Sequence, residues 1–334
     1  MKQAVKITDV AKDAGVSPST VSHVLSGNRP IGEKTKKKVH EAIDRLGYIP
    51  NHNARSLKSN RSGIIGFYAS DITESFVTHI IRGVEKKLNS EGETLLFCSG
   101  SEFDHDLDKA LKFLMHKGID GLIVSYETTQ KDRTPELQKH YNIPLVFINR
   151  DLSPHYPSII PDDEEAGQNA AQNLFDNGVR YPVIIAGPND RPASFNRVRG
   201  FKERWNGLML RNNEEIPVYT GDFTFNSGRK GVQDLFNGRS IDGVFCCNDY
   251  MAAGAIEEIR LMGLQVPGDV KILGFDNREF SEFWPVTIST FSLPLQEMGI
   301  KSAEILLDIL KENKKPEQTI KCSSLLIERA STGQ

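Results

Sequence analysis

The 334 residues include four cysteines, two tryptophans and no apolar run long enough to cross a bilayer. Cys98, Cys246, Cys247 and Cys322 lack C-x-x-C spacing and lie in apolar, strand-like runs. They read as buried thiols, neither metal ligands nor a disulfide framework. The first fifteen residues have no apolar core and no small-residue cleavage site, so no signal peptide is expected and the cytoplasm is the default location. G-x-G-x-x-G, G-x-x-x-x-G-K-[ST] and G-x-S-x-G are all missing, which removes the signatures of dinucleotide binding, P-loop nucleotide binding and the hydrolase elbow. Asp104-His105-Asp106 invites a metal reading, but it stands where a strand gives way to a helix and has no further ligands, so a solvated helix start is expected. No heptad repeat follows the last strand, so nothing argues for a coiled-coil tetramer. No catalytic residue, metal or cofactor is expected.

The net charge of −3 hides an asymmetry. Residues 1–62 carry 12 Lys/Arg against 5 Asp/Glu, and the remainder 29 against 39. A basic head on an acidic body implies that only the head meets a polyanion. Lys34, Lys36, Lys37 and Lys38 cluster there.

The head is organised around Ile7 to Leu25. Thr8 is placed to cap a short helix ending near Ala14, and Gly15 follows where a chain leaving a helix often needs positive φ. Ser17 is the next N-cap and Pro18 suits the first helical position. Two short helices joined by a tight turn make a helix-turn-helix, whose second helix enters a DNA major groove. Val10, Ala11, Val16, Val21 and Val24 supply the core, leaving Ser19, Thr20, Ser22 and His23 outward. A third helix is expected over Ile31 to Leu46, stopped by Gly47. This head spans 1–49. Residues 50–62 form a polar, basic linker in which Ala54 and Leu57 lie three apart. A helix so short is marginal alone. It forms on pairing with a second copy, or stays a plain linker; an exposed Leu suits a wedge between base steps.

From residue 63 the pattern becomes strand then helix, repeated. Continuous apolar runs such as Ile64 to Tyr68, Thr94 to Cys98, Gly121 to Val124, Leu145 to Ile148, Pro182 to Ala186, Asp242 to Cys246 and Val270 to Phe275 imply parallel sheets covered on both faces. Two sets make two α/β lobes, about 63–161 with 291–322 and about 162–290 with 323–330. Ligands of such folds bind beyond the carboxyl ends of the strands. Ser70, Asn149, Arg197, Phe223, Asn248, Asp249 and Asp276 sit at or near strand ends. Arg, Asn and Asp offer bidentate hydrogen bonding, and Phe an apolar plate. Asn248-Asp249 is equally suited to capping the next helix. Arg197 and Asp276 form either a ligand clamp or an interlobe ion pair.

Thr8-Asp9-Val10-Ala11, Ala14-Gly15-Val16-Ser17, Thr20-Val21-Ser22, Leu46-Gly47-Tyr48, Pro50-Asn51, Ala54-Arg55-Ser56-Leu57, Asp162-Asp163 with Gly167, Ser194 to Phe201, Asn248-Asp249 and Gly274-Phe275-Asp276 resemble the lactose repressor (LacI/GalR) family of bacterial transcription regulators over nearly the full length. The resemblance implies an all-α helix-turn-helix head and a two-lobed, periplasmic-binding-protein-like effector domain. It implies a homodimer on near-palindromic double-stranded operator DNA, with paired hinge helices and Leu57 wedged in the minor groove. By motif position Pro18, Ser19 and His23 face bases, while Ser17, Thr20, Ser22 and Asn28 lie near phosphates. Thr8, Asn51, Ala54, Arg55 and Lys58 complete the DNA-facing set. His23 stands where many members carry Arg, and an imidazole cannot make Arg's fork to guanine. The family's effector positions fall on Ser70, Phe76, Asn149, Arg197, Phe223, Asn248 and Asp276, with Asn149 where members often carry Asp. The leading expectation is a repressor of a carbohydrate-utilisation operon controlled by a sugar or sugar phosphate. The alternatives are a purine co-repressor and a phosphocarrier protein partner. A stand-alone sugar-binding protein is disfavoured by the basic head.

Overall fold

The computed structural model describes residues 5–26, 29–48, 61–72, 75–125, 141–209, 215–312 and 319–333. The contacts divide the chain into Met1–Gly63 and Ile64–Gln334. Asn28, Asn51, Ala54, Arg55, Leu57 and Lys58, with the hinge-helix expectation, lie outside the described residues.

The first unit packs α1 (Ile7–Ala14), α2 (Pro18–Ser26) and α3 (Glu33–Leu46). Val10, Ala11, Ala14, Val21, Val39 and Ala42 form its buried core, with Val16 and Val24 at the margin. Gly15 leaves α1 at φ 67°, as the turn requires. Thr8 does not cap α1. Lys6 occupies that position, because Asp9 accepts the Lys6 N–H at 2.8 Å and starts the helix two residues earlier. Ser17 accepts the Thr20 N–H at 3.1 Å, which is an N-cap bond. Helix α3 begins at Glu33 and not Ile31, since Gly32 supplies the cap position.

The second unit contains two parallel sheets. The first comprises β1 (Ile64–Ala69), β2 (Thr94–Ser99), β3 (Gly121–Ser125), β4 (Leu145–Ile148), β5 (Ser158–Pro161) and β11 (Thr319–Cys322), in the order β11-β5-β4-β3-β1-β2. Helices α4 (Ser75–Ser90) and α10 (Leu295–Glu312) cover one face, and α5 (Leu107–His116) the other. Alternation along β1 shows why both faces are apolar. Ile65, Phe67 and Ala69 enter the core under α4 and α10, and Tyr68 enters the one under α5. Sequence reasoning closed this set at β4. The structure adds β5 and β11, in which Ser158, Pro161, Thr319 and Lys321 interrupt the apolar residues and leave no continuous run.

The second sheet has the order β7-β6-β8-β9, from β6 (Pro182–Ala186), β7 (Val218–Thr220), β8 (Gly243–Cys246) and β9 (Lys271–Leu273). Around it stand α6 (Asp163–Asp176), α7 (Pro192–Leu208), α8 (Phe225–Leu235) and α9 (Asp249–Leu261). Between the lobes the chain crosses from β5 to α6, from β10 (Thr290–Ser292) to α10, and from β11 to β12 (Leu325–Ile327). Strands β10 and β12 pair antiparallel, and Phe291 is buried in the second-lobe core, which carries that lobe past residue 290. All four cysteines are free and buried. Asp106 caps α5, accepting the Asp108 and Lys109 N–H groups, which accounts for the acidic cluster at that helix start. Among the described residues no group of three His, Cys, Asp or Glu is arranged to hold a metal, and no helix is long and apolar enough to cross a membrane.

Candidate effector site and DNA-facing helix

Parallel strands put their carboxyl ends on one edge, so the chain leaves each sheet into loops on that edge. On the first sheet β1, β3 and β4 are neighbours, and Ala69, Ser125 and Ile148 lie side by side in register. Ser70 and Asn149 therefore leave the sheet on either side of the buried Ser125. Sequence reasoning missed Ser125, whose only signal was its place at the end of an apolar run. The Ser70 N–H donates to the Ser125 carbonyl at 3.2 Å. Asn149 holds a left-handed φ of 65°, and its Oδ1 is buried without a hydrogen-bond partner among the described residues. Phe76 stands in the first turn of α4, half-buried against the first-lobe core.

On the second sheet Phe223, Gly187, Asn248 and Asp276 follow strands β7, β6, β8 and β9, which is their order across the sheet. Phe223 and Asp276 have φ of 65° and 99°. Non-glycine residues in this region are strained, and such strain gathers at functional sites. A Cβ on Gly187 would lie 2.1 Å from Phe223 Cζ, so the ring is seated directly on that glycine. Asn248 has both roles that its position allowed. Its Oδ1 caps α9, accepting the Met251 N–H at 2.9 Å, and its Nδ2 donates to the Phe223 carbonyl at 2.9 Å.

Arg197 is buried at the centre. Its Nε donates to Asp163 Oδ1 at 2.7 Å, its Nη1 donates to the Cys247 carbonyl at 2.7 Å, and its guanidinium carbon lies 3.5 Å from the Phe275 ring centroid. Asp276 stands farther off, 4.0 Å from Nη1. Arg197, Asp163 and Asp276 all belong to the second lobe, so the ion pair lies within a lobe and does not bridge two. Gly167 and Gly200 explain the approach of α6 to α7: a Cβ on Gly167 would lie 2.1 Å from the Arg197 carbonyl, and one on Gly200 2.0 Å from that of Glu164. Only glycine lets the two backbones come so close. Burial pushes the Asp163 carboxyl above its ordinary range, opposed by the Arg197 charge. Burial works against the charged guanidinium of Arg197 too, but the carboxylates of Asp163 and Asp276 reverse this and leave its pKa raised. Asp163 was visible in the sequence only as part of a motif; nothing in its spacing linked it to a residue 34 positions on.

In the first unit Ser17, Pro18 and Ser19 are exposed at the start of α2, while Thr20, Ser22 and His23 are half-buried along it, and Thr8 is exposed on α1. The Ser17 hydroxyl contacts those of Ser19 at 2.8 Å and Thr20 at 2.9 Å. Hydroxyls at a helix N-terminus, on a unit rich in Lys and Arg, suit phosphate and base-edge contacts.

A three-helix unit of this geometry joined to a two-lobed α/β unit defines a class of ligand-responsive DNA-binding regulators. The family model for bacterial regulatory proteins, lacI family, matches residues 6–51, and the periplasmic binding protein-like domain matches residues 171–332. The HTH-type transcriptional repressor PurR of Aliivibrio salmonicida (strain LFI1238) is 34% identical over 311 residues, 92% of each chain. PurR of Proteus mirabilis (strain HI4320) is 34% identical over 329 residues, 97% of this chain and 96% of that one. Among solved structures, the Lac repressor dimer bound to operator and the anti-inducer ONPF matches with TM-score 0.81 and 26% identity, over 99% of both chains. The CelR–cellobiose complex matches with TM-score 0.71 and 26% identity, over 98% and 99%. The chain belongs to the LacI family. It is a DNA-binding transcriptional repressor, and it works by binding and not by catalysis.

Proposed function

We propose that this repressor is controlled by a purine base bound at the carboxyl edges of the two sheets, acting as co-repressor for a homodimer on a near-palindromic operator. This reverses the order of the sequence-based expectations, in which a sugar came first. The observation that carries it is the buried Asn149 Oδ1, an acceptor with no donor among the described residues. A purine brings ring N–H groups to such an acceptor, and its flat face matches the Phe223 ring held over Gly187. The relatives named HTH-type transcriptional repressor PurR support the same ligand. The match to the Lac repressor dimer on operator supports the dimer and the placement of Ser17, Pro18, Ser19, Thr20, Ser22 and His23 against DNA. A sugar effector is the second reading, favoured by the match to the CelR–cellobiose complex and by the Arg, Asn and Asp side chains at the site.

For a co-repressor, linkage requires the ligand to bind tighter to the lobe arrangement that holds DNA; a typical coupling is about 1–3 kcal/mol. Fluorescence anisotropy of an operator duplex at fixed salt tests the proposal, because phosphate contacts make the affinity salt-dependent. Hypoxanthine or guanine tightens the complex and cellobiose or ribose leaves it unchanged. Release by a sugar, with no purine effect, would replace the purine reading by the sugar one.

A further inference from the structure

Asp249 is fully buried and has no place in the site described above. Its Oδ2 accepts the Arg278 N–H at 2.7 Å and the Ser281 hydroxyl at 2.8 Å. Its Oδ1 accepts the Thr290 hydroxyl at 2.7 Å. Thr290 Oγ1 in turn accepts the Asn277 N–H at 3.2 Å. A Cβ on Gly274 would lie 2.3 Å from Asp249 Oδ1, so the end of β9 is pressed against the carboxylate as well. One side chain at the start of α9 thus holds three segments: the end of β9, the loop carrying Asp276, and β10, which leads across to the first lobe. Its neighbour Asn248 holds the Phe223 loop. The two adjacent residues fasten both second-lobe loops of the effector site to the same helix terminus.

We infer that Asp249 is a positioning residue that makes the Asp276 loop and the crossover strand β10 move as one body, so that occupancy of the effector site is passed to the arrangement of the lobes. The inference rests on the reading that the effector binds at Asp276 and its neighbours. Three donors converging on one buried carboxylate make a stiff joint, because each donor that lost its acceptor would be left buried and unpaired. Loop and strand then shift together or not at all, which is the behaviour coupling requires.

Two measurements on the full-length protein test it. The first is the ratio of operator affinities with and without saturating hypoxanthine. Thr290→Val removes the link to β10 and leaves the Arg278 and Ser281 bonds in place. It lowers the ratio at least fivefold, with operator affinity in the absence of ligand unchanged. Asp249→Ala does the same and also weakens hypoxanthine binding about tenfold. The double variant is no worse than Asp249→Ala, because both changes cut the same link. Asp249→Asn, which keeps an acceptor for Arg278 and offers a donor to Thr290 Oγ1, recovers part of the ratio. Wild-type ratios in Thr290→Val and Asp249→Ala, or losses that add, overturn the inference.

The second measurement needs no ligand. Amide hydrogen exchange over residues 276–292 is about tenfold faster in Asp249→Ala than in the wild type, while exchange in α6 and α7 is unchanged. Equal exchange over 276–292 overturns the inference. An absent hypoxanthine effect in the wild type, with faster exchange in the variant, overturns the purine reading and leaves the joint standing.

Discussion

Arg197 Nε meets Asp163 Oδ1 at 2.7 Å with both side chains more than nine-tenths buried, and the pair lies beside Asp276 in the second-lobe half of the candidate effector site. It aims the guanidinium, which also stacks on Phe275 and stands 4.0 Å from Asp276. Replacing Arg197 by Met leaves Asp163 buried without its partner. Breaking a buried pair in this way costs about 3–5 kcal/mol. Urea unfolding of Arg197→Met shows a loss of that size, and Arg197→Met with Asp163→Leu recovers most of it. Both variants lose the effector response and keep operator binding. A single variant that still responds at wild-type ligand concentrations removes Arg197 from the site.

The seat of the Phe223 ring is a second test. Gly187→Ala places a methyl group where the ring now lies, since the new Cβ would stand 2.1 Å from Cζ. The ring has to move, and its φ of 65° gives the backbone little freedom to follow. Effector affinity measured by titration falls at least tenfold, with operator affinity in its absence unchanged. Phe223→Ala lowers affinity to a similar degree, and full affinity in either variant would show that the ring is not the ligand's platform.

Asp249 carries a pH signature. Burial pushes its carboxyl up to about 7, against the Thr290, Arg278 and Ser281 donors that favour the charged form, with the nearby Asp276 adding to the rise. The ordinary value is 3.8. Below that value the carboxyl is protonated in folded and unfolded chains alike, and its contribution to stability is fully present. Between 3.8 and about 7 the unfolded chain ionises first, so that contribution is lost as pH rises and levels off above about 7. The shift corresponds to a loss on the order of 4 kcal/mol. Asparagine does not titrate, so the melting temperature of the wild type relative to Asp249→Asn falls between pH 4.5 and 7 and is flat above 8. A difference independent of pH shows that Asp249 stays ionised throughout.

Leu57 is tested by Leu57→Ala. If it wedges between base steps, operator affinity drops about tenfold or more while effector affinity in the absence of DNA stays the same. Unchanged operator affinity removes the wedge.

The head was readable from local chemistry. Gly15, Ser17-Pro18 and Gly47 mark helix ends, and the apolar residues recur at helical spacing, so each of the three helices starts or stops at one of these signals. Thr8 misled because two polar residues compete near that start, and Asp9, three residues after Lys6, bonds its N–H. The strands with long apolar runs were equally legible. Strands β5, β7 and β11 were not, because Ser158, Pro161, Thr220, Thr319 and Lys321 interrupt them and leave no continuous apolar run.

The candidate effector site divides in the same way. Position at strand ends marked Ser70, Asn149, Phe223, Asn248 and Asp276 as candidates. Spacing along the chain did not show that Asn149, Phe223 and Asp276 adopt left-handed backbone, that Arg197 pairs with Asp163, or that Asn248 both caps a helix and holds Phe223. The sequence by itself determined the helix-turn-helix and the alternation of strand and helix, because these rest on periods and caps spanning a few neighbouring residues, while motifs from Thr8 to Asp276 carried the resemblance to the family. Only the tertiary structure decided which charges meet, which acceptor is left without a donor and which carboxylate ties loop to crossover. Those depend on where glycine lets α6 and α7 touch and on which strands lie side by side, between residues tens of positions apart in the chain.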